Sequence, residues 1–442
     1  MPTIAELEGH AARLYGQGNA LAALRLYDAI VTAAPLHYPA RLRVADCVAS
    51  LSGNPTAIAP PAEAVYRAVG WYCIKAGHPL VAVVCARVLE AGGCDASDLA
   101  AGLVAHYGRD SEAINKFAVR IASPVGTTEL AAPDLRSEVG PDFVAQAARR
   151  ATAATDAFKD WPEALHPIPL LSTLTEAGFR RVLGTLVARR LPDGAFAIRE
   201  GEPGQSFFFV ADGEVAVFAT DGLGRTTELA RLRDGAVFGE MALLSAQPRS
   251  ASVQAHGECD LLEVGRGSLA ALADELPVVA EALHAFTRER LLGNLMATSP
   301  LFRPFNRTQQ RDLLRRFTSH DVAPGTVIIH EAEEGRGLFV VLAGELEVSR
   351  RGSDGHPVPL GALRTGEVFG EMALLRDGAT TATVTAARPS TVLFLARDYV
   401  SRIVSGVPEI KRYLEALADD RELDNQLAMG DDGVDEDERV LV

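Results

Sequence analysis

The sequence predicts a multidomain α and β protein: a helical N-terminal third, then two antiparallel β-sandwich or jelly-roll domains with flanking helices. Three observations carry this reading. Apolar residues early in the chain recur at spacings of three and four, the period of a helix buried on one face. Later, short alternating or apolar runs are punctuated by glycine, which indicates antiparallel strands rather than a parallel sheet. The chain also repeats itself: shifted by 131 positions, Gly194–Val253 aligns with Gly325–Val384 without a gap, and 25 of the 60 pairs are identical.

Composition narrows the class. A chain of 442 residues, 48% hydrophobic, has room for several well-filled cores. A net charge of −15 argues against a nucleic-acid backbone as main partner. About half of that excess is local, since Asp419–Val442 holds ten acids and two arginines. The five cysteines show no CxxC spacing, and four lie in apolar helical contexts, as expected of small buried hydrophobes in a reducing compartment. The ten histidines form no HxxxH or HExxH pair, so no metal site is expected. Without a signal-peptide layout or an apolar run near 18 residues, the expectation is a cytoplasmic protein away from membranes.

In chain order, helices are expected over Ile4–Leu14, Ala20–Ala34 and Pro39–Leu51, with Pro35 stopping the second. A glycine-centred turn at Gly18-Asn19 precedes a small-residue helix. Leu14, Tyr15, Gly18, Ala23, Tyr27 and Pro35 stand where a tetratricopeptide-type hairpin places such residues, so residues 1–122 resemble a tetratricopeptide-like solenoid. Further turns are expected at Ala76–Pro79, before a helix Leu80–Ala91, and at Tyr107–Asp110. The resemblance implies a concave surface for an unidentified protein partner, whereas a plain helical bundle covering the rest is the alternative.

Residues 123–164 read as a linker, with loop over Ser123–Pro141 and an alanine-rich helix over Asp142–Phe158. Inside it, Arg149-Arg150-Ala151-Thr152 resembles the Arg-Arg-x-Ser/Thr segment recognised by cyclic-AMP-dependent protein kinase. Residues 165–296 and 297–429 are then the two β domains. Thr173–Val187 and Arg307–Phe317 precede them as helices; Ser268–Ala273 with Val278–Leu295, and Asp398–Val404 with Glu409–Ala428, follow them. The acidic stretch 430–442 reads as a disordered tail.

The chemistry concentrates in Val237-Phe238-Gly239-Glu240-Met241-Ala242-Leu243-Leu244, followed by Pro248-Arg249-Ser250-Ala251. A glycine lets backbone approach a ligand, and free N–H groups at a turn plus one guanidinium suit a singly charged phosphate. A carboxylate can accept from a hydroxyl pair such as that of a ribose. This pattern resembles the phosphate-binding cassette of the cyclic nucleotide-binding domain family, an eight-stranded roll with helices at both ends. The resemblance implies that Glu240 accepts the ribose 2′-hydroxyl and Arg249 pairs with the cyclic phosphate. Backbone amides of Gly239, Ala242 and Ser250 would complete the cradle. Phe286, on the stripe Val279–Leu283–Phe286, is a candidate lid over the base, although such stripes more often serve the core.

The second cassette keeps Gly370, Glu371 and Ala373, but Thr380 stands at the arginine position. A hydroxyl cannot neutralise a phosphate, and losing such a pair costs about 2–5 kcal/mol. The second site is therefore expected to be degenerate, with Arg376 a poorly placed substitute. The resemblance implies cyclic AMP as the preferred ligand; cyclic GMP is the alternative because Ser250 keeps the hydroxyl, though not the methyl, of the threonine that accompanies cyclic GMP preference. No catalytic motif is present, and no helix-turn-helix follows the second roll, which excludes a DNA-reading activator. The expected function is a cyclic-nucleotide-sensing regulatory adaptor, not an enzyme. The alternatives are a ligand-free scaffold and an inhibitor resembling a kinase regulatory subunit.

Overall fold

The computed structural model describes residues 1–53, 57–123, 126–153, 158–220, 225–240, 248–249, 251–352, 355–376 and 378–430. It divides into two units, Met1–Phe286 and Thr287–Val442.

The first unit opens with six helices: α1 (Ile4–Gly16), α2 (Ala20–Ala33), α3 (Tyr38–Leu51), α4 (Pro60–Ala76), α5 (Pro79–Ala91) and α6 (Ser97–Tyr107). Local chemistry fixes their starts. Thr3 Oγ1 accepts from the Glu6 N–H at 3.2 Å while the Glu6 carboxylate accepts from the Thr3 N–H at 2.8 Å, a reciprocal cap for α1. Asn19 caps α2 through the Ala22 N–H, and prolines begin α4 and α5. Consecutive helices pack side by side down to α6. The turn expected at Tyr107–Asp110 is present, but no helix follows it directly. After it the described residues run in turns and bridges until α7 (Phe143–Ala153), which folds back onto α2, α3 and α4.

Next come α8 (Glu176–Thr185) and six strands: β1 (Leu186–Leu191), β2 (Phe196–Ile198), β3 (Ser206–Thr220), β4 (Thr226–Arg233), β5 (Val237–Phe238) and β6 (Ser252–Gly265). They form one antiparallel sheet, ordered β1-β6-β3-β4, with β2 on β6 and β5 on β3. The long β3 and β6 turn between the two halves of the roll as continuous strands. Pairing slips on either side of Asp212, where Gly213 has φ +93°; a Cβ there would lie 2.6 Å from the Glu258 carbonyl. The roll is filled by Ile198, Phe208, Val215, Phe238, Val253 and Leu261, with Phe208 and Phe238 stacked 5.1 Å apart. Helices α9 (Arg266–Glu275) and α10 (Pro277–Thr298) follow.

Helices and roll share one core instead of standing as separate domains. Helix α5 lies against β1, β3 and β6, and the junction is cemented by buried charge. Arg43 of α3 pairs with Asp260 of β6 (2.8 Å), with Asp46 (3.3 Å) and with Glu258 (3.3 Å). Arg190 of β1 also pairs with Asp260 (2.8 Å) and reaches Asp46. Tyr66 donates to Asp46 at 2.5 Å, and Tyr38 donates to Asp212 at 3.1 Å. Burial alone would push Asp260 upward, but Arg190 and Arg43 outweigh it and hold the carboxyl at about 2.

The second unit repeats the roll as eight strands. They are β7 (Thr318–Val322), β8 (Val327–Ile329), β9 (Gly337–Ala343), β10 (Glu345–Arg351), β11 (Pro357–Arg364), β12 (Val368–Phe369), β13 (Thr383–Ala386) and β14 (Ser390–Ala396). Two four-stranded sheets result, β11-β10-β13-β8 and β12-β9-β14-β7. Helices α11 (Arg307–Leu314), α12 (Glu371–Leu375), α13 (Arg397–Gly406) and α14 (Pro408–Gly430) accompany them. Strands β9 and β10 occupy the sequence interval of β3, and β13 with β14 that of β6; only the bend has become a break. Gly430 closes α14, while residues 431–442, expected as a tail, lie outside the described residues. Among the described residues no helix is long and apolar enough to cross a membrane.

Two outcomes follow from the buried charges. Replacing Arg43 with Met leaves two carboxylates sharing Arg190, and should cost about 3–5 kcal/mol of stability in urea denaturation. The second concerns pH. Burial, then the Asp212 charge, raise Glu8 to about 7, and burial with the Asp234 charge raises Asp212 to about 7. Both carboxyls favour the folded state when protonated. Their contribution is complete below the ordinary carboxylate range and is lost as pH rises through 7. Over pH 5 to 8 this loss is opposed by His37 and His78, which burial holds down to about 4 and whose stabilising contribution grows as pH rises through the ordinary histidine range. Glu8→Gln isolates the carboxyl: in urea denaturation the unaltered chain should lose on the order of 2 kcal/mol more than the variant between pH 5 and 8. Asp260, held low, acts only in acid and leaves this window untouched.

Candidate functional site

The cassette begins where β5 ends against β3. Gly239 has φ +75°, and a Cβ on it would lie 2.9 Å from both Arg249 Nη1 and Ile198 Cδ1. Only glycine leaves the guanidinium its place. Glu240 follows, 5% exposed. Arg249 is fixed by backbone pairing to the facing loop: its N–H donates to the Glu202 carbonyl at 2.8 Å, and its carbonyl accepts from Gly201 at 2.9 Å. Its half-buried side chain donates to the carbonyls of Gly239 (3.0 Å) and Ser206 (2.6 Å). Burial draws this guanidinium below its ordinary range, and the charges of Glu202, Glu263 and Glu240 pull it back. Among the described residues no carboxylate forms an ion pair with it. The result is a cation steered by neutral carbonyls beside a buried carboxylate.

At the positions described in both, the second cassette has the same backbone pairing. Gly370 has φ +83°, the Thr380 N–H donates to Glu333 at 2.8 Å, and Ala332 donates to Thr380 at 2.8 Å. The side-chain chemistry differs. Thr380 Oγ1 is 3.1 Å from both the Glu333 N–H, from which it accepts, and the Glu333 carbonyl, and it also reaches the His330 carbonyl. Glu371, 1% exposed, takes both its bonds from Arg421 of α14, at 2.9 and 3.0 Å.

Residues 188–275 and 319–406 each match the family model of the cyclic nucleotide-binding domain. Two stretches in tandem are thus similar to the cyclic nucleotide-binding domain. Curated relatives align with somewhat more than half of this chain. A cAMP-dependent protein kinase regulatory subunit of Yarrowia lipolytica is 30% identical over 238 residues, covering 54% of this chain and 59% of that protein. One of Hypocrea atroviridis is 29% identical over 272 residues, covering 58% and 55%. A cGMP-dependent protein kinase of Caenorhabditis elegans is 26% identical, covering 57% and 31%. The chain thus spans less than two thirds of the length of each of these three. A solved structure, the regulatory domain of Toxoplasma gondii PKA with cAMP, is 23% identical with a TM-score of 0.28, covering 57% of this chain and 92% of that one.

In the first matched stretch Gly239, Glu240 and Arg249 lie beside one another. Ala242 and Ser250 lie outside the described residues. Phe286 is buried, its ring 6.3 Å from Phe207 of β3, so in this conformation it is a core contact of the helical layer and roll. In the second domain Gly370, Glu371, Ala373 and Thr380 line one cavity. Arg376 points away from it, to Asp419 (3.3 Å) and Glu422 of α14.

The kinase-like segment is not presented as an extended strand. Arg150 donates to both oxygens of Asp28 at 2.8 and 2.6 Å, Ala151 is buried, and its carbonyl accepts from Arg41 at 2.7 Å. Sequence reasoning missed Arg421. The signal was available: Arg421 follows Glu371 by fifty residues, as Arg290 follows Glu240.

Gly239→Ala should displace Arg249 and strain a left-handed backbone position. We expect a loss of about 1–3 kcal/mol in thermal unfolding, with Gly267→Ala, which meets nothing, as the neutral control.

Proposed function

We propose that the first domain senses a cyclic nucleotide, with cyclic AMP preferred and cyclic GMP the weaker alternative. The observation that carries this is Arg249. Among the described residues this half-buried guanidinium has only carbonyl acceptors, and a singly charged cyclic phosphate would match its charge. Glu240, buried one residue beyond Gly239, is the carboxylate that the resemblance assigns to a ribose hydroxyl. Relatives that are cyclic-nucleotide-dependent kinases or their regulatory subunits support the same reading.

The binding event needs an outlet, and the chain offers one. Ser206, whose carbonyl holds Arg249, begins β3; further along the same strand Asp212 bonds Tyr38 of α3. Ordering of Arg249 by ligand would bias β3 and, through it, the helical layer. A partner protein then reads the helical layer, where the tetratricopeptide-like face would serve. The chain's role is regulatory rather than catalytic. A kinase catalytic subunit is the partner that the relatives favour; engaging Arg149–Thr152 would require α7 to leave α2, α3 and α4.

Calorimetric titration of the full chain tests the reading. One site for cyclic AMP is expected, weakened roughly 30- to 5,000-fold in Arg249→Ala and unaffected by Thr380→Ala. No heat with either cyclic nucleotide would overturn it in favour of a ligand-free scaffold.

A further inference from the structure

The two cassettes place their arginine differently, and the second placement has a consequence of its own. Where the first has Ser245 and Arg249, the second has Arg376 and Thr380. The positive charge has moved four residues along the turn. In the structure it has also moved from the pocket to the helix above it, since Arg376 binds Asp419 and Glu422 of α14. The same helix returns Arg421 to the buried Glu371. Ile410, Leu414 and Ala418 are buried on α14, and with Arg421 and Asn425 they recur at spacings of three and four, one face of the helix.

We infer that the second roll is self-closed: α14 is latched over the cassette by Arg421–Glu371 and Arg376–Asp419/Glu422 and needs no ligand to hold it there. Each polar group that would meet a nucleotide is already engaged. Glu371 is neutralised by Arg421. Thr380 is bonded to the loop at 330–333, where it closes the turn. Arg376 faces the helix. A cavity of about 80 Å³ remains beneath, floored by Ile329, Val348, Leu363 and Phe369. That holds a few waters, well short of the roughly 300 Å³ at the lower end of small-molecule sites. Among the described residues of the cassette a phosphate would find no unmatched cation, and a neutral nucleoside would find no room while the latch holds. The exposed Arg376 pairs are individually weak. Arg421 is the stronger fastening, because its loss strands a buried carboxylate.

The inference concerns the second unit alone and stands or falls separately from nucleotide binding in the first. Hydrogen exchange on the full chain tests it. Without nucleotide, α14 amides between Ile410 and Asn425 should be protected, and millimolar cyclic AMP or adenosine should leave them unchanged. In Arg421→Gln they should exchange faster by on the order of a hundredfold, while β9 and β14 stay protected. In Arg376→Ser the gain should be severalfold. Free exchange of α14 in the unaltered chain until a nucleotide is added would overturn the inference, as would full protection in Arg421→Gln. Should Arg421→Gln loosen β9 and β14 as well, Arg376→Ser decides, and protection equal to that of the unaltered chain overturns the inference.

Discussion

A charge removed from water must find its opposite nearby, and this molecule is arranged by where each buried charge finds one. Asp260 and Asp46 find Arg43 and Arg190, which fastens the helical layer to the first roll. Glu371 finds Arg421, which fastens the last helix to the second. Arg249, among the described residues, finds only carbonyls. Where both are described, the two cassettes share a backbone yet differ in charge: the second pairs its buried carboxylate with Arg421, and the first holds its guanidinium on carbonyls. The difference follows from a few side chains, since the glycine, the glutamate and the pairing of residue 249 or 380 to its facing loop are common to both.

Much of this was legible in the sequence because it is local or repeated. The glycines that permit a left-handed backbone, the alternation of the strands and the 131-residue shift all specify the rolls without knowledge of contacts. Apolar spacing, glycine turns and Pro35 placed α1, α2, α3 and α5 to within two residues at each end, whereas α4 and α6 were given no bounds. The cassette residues were legible for the same reason, being close in sequence and chemically distinctive.

What was not legible depends on distant pairs. Nothing near Arg43 announces Asp260, 217 residues away, so the sequence read the helices as a separate domain with an open docking face. Likewise Arg150 looked like part of an exposed recognition segment until Asp28 claimed it. The turn at Tyr107–Asp110 resembled the others, yet the chain after it lacks the apolar stripe that would let another helix bury a face. Continuity of β3 and β6 was hidden too, because a glycine signals a bend and a break alike. Arg376 was weighed only as a substitute within the pocket, since its acidic partners lie a full helix later.

The shared core of α5 with β1, β3 and β6 bears on how such a chain could be rearranged by gene fusion. A roll cut free at residue 165 would bring Asp260 and the apolar footprint of α5 to its surface together, one hydrated and the other sticky. The first roll is therefore not a cassette to be transplanted between proteins. It and its helices must be inherited as a pair, whatever is joined at either end.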